Sequence, residues 1–292
     1  MNELVKGFEL WLFEEGRSPK TIESYVGDIK SYHRFINEKA VDIDQPLSRF
    51  AFVRYKQYLI DRNYAVSTVN KKINSLKVYN DFLQIKGIVD GNYIQLKRDR
   101  VKIASGSEQV VTALTEEQVE LLLFYLEDHK KVSQRNKLIA YLLLYTGLRI
   151  SELVNCKIAD IDFLTSILTI RGKGGKVREI SLRQDVVNLI RQYMQEERKQ
   201  SKFGDSVHLL VSQRAPKVHR DAVRDWLAIV SERLGFKLHP HLFRHTFCTR
   251  LLKKGVDLTT VSKLAGHSTV NMTAKFYIQT TRQEKQDAVE RL

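Results

Sequence analysis

The residues of this chain best suited to chemistry crowd into a few short stretches. The densest, HPHLFRHTF at 239–247, holds three histidines and one arginine in nine residues. His241 and His245 stand four apart, which puts two imidazoles on one helix face at a spacing zinc can use. The ligand set stops there. No H-E-x-x-H is present, no carboxylate lies nearby, and Arg244 stands between the two histidines, where a guanidinium repels a cation. The same arginine welcomes an anion, because its planar fork matches two oxygens of a phosphodiester. Pro240 marks a helix start, where free amide groups and the helix dipole also favour negative charge. His241 and Arg244, one turn apart, are thus placed to hold one phosphate. Taken alone, the pair is equally compatible with capping and surface roles.

Charge and composition point to the same kind of partner. The chain has 292 residues, 43% hydrophobic and 28% charged, the profile of a soluble globular protein long enough for two domains. Its net charge of +14 and pI near 9.6 favour a polyanion, with nucleic acid the commonest. The excess is uneven: residues 1–110 carry 18 basic and 14 acidic residues, residues 111–292 carry 30 and 20. The stronger anion field belongs to the C-terminal part. No run approaches the roughly 20 apolar residues of a membrane span. The N-terminus, with Glu3, Glu9, Glu14 and Glu15 on an amphipathic pattern, is unlike a signal peptide. Cys156 and Cys248 lie far apart without a C-x-x-C, which suits core packing in a reducing cytoplasm.

The elements that must position these groups are mostly helices. In RSPKTIESYVGDIKSYHRFI, Ser18 reads as an N-cap and Pro19 as the first helical residue, followed by an apolar face of Ile22, Tyr25, Ile29, Tyr32 and Ile36. Similar patterns over 3–15, 48–63 and 67–86 make a four-helix N-terminal domain over 1–88. Lys71, Lys72 and Lys77 sit on its fourth helix with little acidic compensation nearby in sequence, a solvated face or a phosphate-contacting one. Residues 89–112, polar and basic, read as a linker, and 113–292 as the second domain. There Thr115 and Gln118 form a capping box, and an apolar helix over about 134–146 stops at Gly147. Two β-branched runs, Ile167–Arg171 and Val177–Ser181, flank GKGG and predict a hairpin.

Four stretches occur in a telling order: TGLRISEL at 146–153, the RGKGGK hairpin at 171–176, HPHLFRHTF at 239–247 and LAGHSTVNMTAKFY at 264–277. Together they resemble the tyrosine recombinase or integrase family, most closely its bacterial Xer-type members, and the N-terminal segment is similar to that family's core-binding domain. The resemblance spans nearly the whole chain. It implies a mainly α, two-domain DNA clamp, with a four-helix core-binding domain and an α-rich catalytic domain carrying a small β-hairpin. Carried over residue by residue, it implies catalytic roles for Arg149, Lys173, His241, Arg244, His267 and the nucleophile Tyr277, with Glu152 supporting the pocket. Lys176 in the same turn is the alternative to Lys173. Lys71, Lys72, Lys77, Arg171 and Lys176 are the expected DNA contacts. One spacing departs from the pattern: His267 to Tyr277 is ten residues, where many Xer-type members have nine.

The implied reaction breaks and rejoins a DNA phosphodiester through a 3′-phosphotyrosine, without metal or ATP. The residue types suit it. A tyrosine with a pKa near 10 is a modest nucleophile at neutral pH, and His241 can take its proton. Arg149 and Arg244 can each hold a non-bridging oxygen as charge builds, and His267 adds a hydrogen bond. Lys173 can protonate the departing 5′-oxygen. The family further implies a dimer on each DNA site, a tetramer in the synapse, a Holliday-junction intermediate and a C-terminal tail that docks on a neighbouring protomer; here Ala288, Val289 and Leu292 offer a small apolar stripe for docking in trans, with docking in cis as the alternative. Three other readings compete. They are a type IB topoisomerase-like enzyme, a catalytically silent DNA-binding protein of the same fold, and a metal-dependent hydrolase. The Xer-like layout, the full set of catalytic positions and the missing carboxylate ligands weigh against each in turn.

Overall fold

The computed structural model describes residues 2–39, 45–102, 113–128, 130–172, 175, 177–267, 269–270, 273–274 and 290. The chain divides into two compact units, 1–108 and 109–292. Among the described residues, no helix is long and apolar enough to cross a membrane.

The N-terminal unit consists of α1 (Asn2–Glu14), α2 (Pro19–Glu38), α3 (Arg49–Asp61), α4 (Val66–Ile85) and the one-turn α5 (Leu96–Asp99). Helix α2 begins where its sequence requires: the Ser18 hydroxyl accepts from the Thr21 amide at 3.3 Å, and Pro19 is the first helical residue. Its apolar face buries Ile22, Ile29, Tyr32 and Ile36, with Tyr25 half-buried. These pack on Phe8 and Leu12 of α1, Phe52 of α3, and Leu76, Tyr79 and Phe82 of α4. The Phe8 and Tyr79 rings meet edge to face at 5.1 Å.

The expected linker starts too early. Residues 89–102 belong to the N-terminal core instead. Val89 and Ile94 are buried in it, and Asn80 of α4 bonds the Gly91 carbonyl and the Tyr93 amide at 2.9 and 2.8 Å. Arg49 of α3 grips Asp99 with two bonds of 2.7 Å. A segment that is polar in sequence is thus folded down by side chains far from it in the chain.

The C-terminal unit runs α6 (Glu116–Leu126), α7 (Gln134–Thr146), α8 (Ile150–Asn155), β1 (Ile161–Asp162), β2 (Ile167–Arg171), β3 (Val177–Ser181), α9 (Gln184–Gln195), α10 (Arg220–Leu234), α11 (Pro240–Lys253) and α12 (Leu258–Ala265). Helix α7 is apolar on most sides, with Leu138, Ile139, Leu142, Leu143 and Leu144 all buried, so it is the central helix of the unit. The hairpin has the register its sequence sets, from Ile167 opposite Ser181 to Arg171 opposite Val177. The short β1 adds a third antiparallel strand beside β2 that sequence pattern did not announce. Thr115 and Gln118 form their capping box at the start of α6.

Candidate active site

The site is built on chain reversals that bring three helix ends together. Helix α7 ends at Gly147, whose φ of +61° is natural only for glycine, and a side chain there would collide with the Phe247 ring of α11. Leu148 is fully buried and anchors the turn, so the next residue, Arg149, becomes the N-cap of α8. Glu152, one turn on, accepts from the Arg149 amide at 2.8 Å and from its Nη1 at 2.9 Å. The other arm of the guanidinium, Nη2, donates to the Gly266 carbonyl at 2.7 Å. Arg149 is therefore held at both ends by short bonds.

Helix α11 supplies the second arginine. His239 caps it, its Nδ1 accepting from the Leu242 amide at 3.2 Å, with Pro240 as the first helical residue. Arg244 is 5% exposed, and its Nη1 donates to the Gly147 carbonyl at 2.8 Å. Its Nη2 is buried and has no protein partner among the described residues. Burial and the nearby Arg149 push the guanidinium down to about 10, so it keeps its charge at neutral pH. His241, on the first turn, is held below the ordinary histidine range by partial burial of its ring, then by Arg244 and Arg149. It is neutral at pH 7 and able to accept a proton.

The third end is that of α12, closed by Gly266 in the left-handed conformation with φ +64°. His267 follows directly. Its Nδ1 lies 2.6 Å from the Thr273 hydroxyl, and burial, then Arg244 and Arg149, lower it to about 4. The structure thus brings Arg149, Glu152, His241, Arg244 and His267 into one electrostatic neighbourhood. An open cavity of about 1130 Å³ is lined by Arg149, Glu152 and His267 of this group, with Arg171, Arg178 and Lys263 among the others. Lys173, Lys176 and Tyr277 lie outside the described residues, as do Ala288, Val289 and Leu292. Arg171 is exposed at the end of β2, beside the hairpin turn. Tyr193 is only 1% exposed and sits in the core, out of reach of a substrate.

Two site residues escaped the sequence. Arg178 on β3 grips both oxygens of Glu152 at 3.0 and 2.8 Å, and its Nε donates to the Leu264 carbonyl at 3.0 Å. Burial alone would raise the Glu152 carboxyl, but Arg178 and the Arg149 amide hold it below the usual carboxylate range. The signal for Arg178 was present: on a strand it shares the inward face with buried Ile180, and an inward arginine needs an acceptor. Thr273 carried no comparable signal. One reading needs correction. Lys71, Lys72 and Lys77 are compensated, because α2 brings Asp28 to within 3.1 Å of both Lys71 and Lys72, and Lys77 pairs with Asp81 one turn on.

Two arginines around neutral histidines, with surplus positive charge beside an open cavity, form an arrangement that can hold a phosphoryl group. The chain matches the phage integrase family over residues 112–284, and that family's N-terminal SAM-like domain over 5–87. It is 31% identical to tyrosine recombinase XerA of Pyrococcus furiosus across 99% of this chain and 94% of that one. It is 32% identical to the TnP I resolvase of Bacillus thuringiensis across 93% of each. The fold is similar to that of the Tn1549 transposon integrase in complex with circular intermediate DNA, with a TM-score of 0.75 at 21% identity over 99% of both chains. This chain belongs to the phage integrase family and is a tyrosine site-specific recombinase.

Proposed function

We propose that the chain acts in the cytoplasm on duplex DNA, cleaving and rejoining specific sites through a 3′-phosphotyrosine and a Holliday junction. The observation that carries the reading is the buried arm of Arg244, without a protein partner among the described residues, beside the tethered Arg149. Two guanidiniums crowded without a carboxylate for each are stabilised by an anion between them. In the proposed reaction Tyr277 attacks the phosphorus, and His241, neutral at pH 7, takes the phenolic proton. Arg149 and Arg244 hold the non-bridging oxygens, and His267 donates a further hydrogen bond. Lys173 protonates the 5′-oxygen as the bond to phosphorus breaks, with Lys176 as the alternative donor. Both units contact DNA, through Arg171 and Lys176 in the C-terminal unit and through Lys71 and Lys77 on α4. Resolution of chromosome dimers or transposon cointegrates, or integration, are tasks this chemistry serves.

The test is covalent trapping. On a nicked suicide substrate the intact chain forms an adduct seen as a shifted band on a denaturing gel. Tyr277→Phe, which removes only the nucleophilic oxygen, binds DNA and forms none. An adduct of normal yield from the Phe variant would rule Tyr277 out. The working assembly is a dimer on each site and a tetramer in the synapse, joined by docking of Ala288, Val289 and Leu292 on a neighbouring protomer. Truncation after Thr281 then preserves binding to a half-site and weakens cooperative binding of two protomers. Unchanged cooperativity on a full site would place the tail elsewhere.

A further inference from the structure

Arg178 joins the three segments on which the site rests. It lies on β3, so it moves with the hairpin. Its fork closes on Glu152 through Nη1 and Nη2 at 3.0 and 2.8 Å. Its Nε reaches the Leu264 carbonyl at the end of α12, two residues before the glycine that sets His267. The guanidinium lies flat against that glycine: a Cβ on Gly266 would come within 2.8 Å of Arg178 Nη1. The side chain is 13% exposed. Glu152 Oε1 is shared, since Arg149 Nη1 donates to it at 2.9 Å, and Arg149 Nη2 returns to the Gly266 carbonyl at 2.7 Å. The contacts form a closed ring that runs from Arg149 to Glu152, to Arg178, to the last carbonyls of α12, and back to Arg149.

We infer that Arg178 is a positioning residue, which sets the orientation of Arg149 through Glu152 and ties the hairpin to the same ring. The inference rests on the catalytic reading of Arg149 given above. Its physical content is the fork. Without Arg178, the Glu152 carboxylate is held by Arg149 alone, through its amide and Nη1; a second guanidinium that grips both oxygens and is itself anchored on Leu264 ties the carboxylate to β3 and α12 as well. Lysine carries the same charge without the fork, so it cannot hold both oxygens and the Leu264 carbonyl together. The hairpin enters through covalent geometry, because Arg178 lies on β3, which pairs directly with β2. A shift of the hairpin must therefore drag Glu152, or break the ring.

Single-turnover cleavage of a suicide substrate at saturating DNA tests this, alongside half-site affinity and thermal melting of each variant. Arg178→Ala and Arg178→Lys are expected to cleave about 10- to 100-fold more slowly, the usual cost of freeing a group that orients a site residue, with affinity nearly unchanged. The decisive readout is a double-mutant cycle with Glu152→Gln. If Arg178 acts through Glu152, the second substitution adds little to the first. Fully additive losses, a wild-type rate in Arg178→Ala, or full activity in Arg178→Lys would each overturn the inference. Should Arg178→Ala fail to fold, Arg178→Lys and Arg178→Gln carry the same cycle. Failure of the catalytic reading is separable, because the intact chain would then form no adduct on the same gel.

Discussion

Asp28 in the N-terminal unit and Glu152 in the C-terminal unit are both buried carboxylates shared between two cations, yet their surroundings differ in kind. Asp28 takes Lys71 and Lys72 at 3.1 Å each and the Ser75 hydroxyl at 2.7 Å, all from α4, so its bonds do one thing: they pin α2 to α4. Its surplus charge is let out to water, because the Lys71 side chain is 53% exposed. Glu152 takes arginines from two different segments, and a third guanidinium, Arg244, is packed nearby with the Gly147 carbonyl as its hydrogen-bond partner among the described residues. There the surplus is kept inside, where the low dielectric magnifies it. A protein tolerates such crowding where an incoming anion will relieve it. Ammonium groups suit the first task, being compact and easily hydrated, and guanidinium forks suit the second.

The sharpest way to break this contrast is to remove one charge from each region. Arg244→Ala is expected to lower single-turnover cleavage by about 100-fold or more, as loss of a transition-state charge partner does, with little change in melting temperature. Asp28→Asn should do the reverse, lowering the melting temperature while cleavage per folded molecule stays near that of the intact chain. A comparable loss of cleavage in both would mean that Asp28 also serves the site.

The histidines carry the contrast to a smaller effect. His33 in the N-terminal unit and His267 in the C-terminal unit are both lowered to about 4, the first by burial and the proximity of the N-terminus, the second by burial and then by Arg244 and Arg149. His33 is packed edge-on to Tyr32 and Tyr79, with no hydrogen-bond partner for either ring nitrogen among the described residues. In both cases the unfolded chain binds the proton more readily than the folded one. The linked stability is therefore fully present above pH 6.5, the ordinary histidine value, and is lost as pH falls toward 4. DNA separates them. A phosphate beside Arg149 and Arg244 offsets their repulsion and raises His267, by about one unit or more for an opposite charge at close range, while His33 does not move. Titration of selectively labelled histidines by NMR, with and without DNA, reads both. A DNA-linked shift of His33, or none at His267, would undo the distinction.

What could be read from sequence alone follows the range of the interaction. The Ser18 and Thr115 caps, the stop at Gly147 and both strands of the hairpin depend on bonds across a few residues, and the sequence carries both partners of each. Arg149, His241, Arg244 and His267 were singled out through family resemblance, and the structure shows what surrounds each of them. Arg178 and Glu152 are 26 residues apart, Lys71 and Asp28 are 43 apart, and Arg49 and Asp99 are 50 apart. Those pairs exist only once helices and strands have packed, so local charge counts misjudged the lysines, and local polarity misjudged residues 89–102.

The same lesson separates Lys71 from Lys72, and gives the smallest of the expected effects. Both reach Asp28, but the Lys72 side chain is 12% exposed against 53% for Lys71. An ammonium that is nearly enclosed cannot leave its carboxylate for a phosphate without uncovering buried charge, whereas an exposed one exchanges partners at little cost. In the proposed DNA complex, Lys71 is therefore the lysine of this pair that meets the backbone. Lys71→Ala should weaken binding to all sequences alike and reduce the slope of log affinity against log salt by about 1, the share of one phosphate contact. Lys72→Ala should leave that slope unchanged and instead cost stability on the order of 1.5–3 kcal/mol, the range for a hydrogen bond to a charged group. Salt-dependent binding curves and thermal melts on the two variants decide the matter. Equal slopes for Lys71→Ala and the intact chain would remove Lys71 from the interface, and a reduced slope for Lys72→Ala would show that the Asp28 pair opens when DNA arrives.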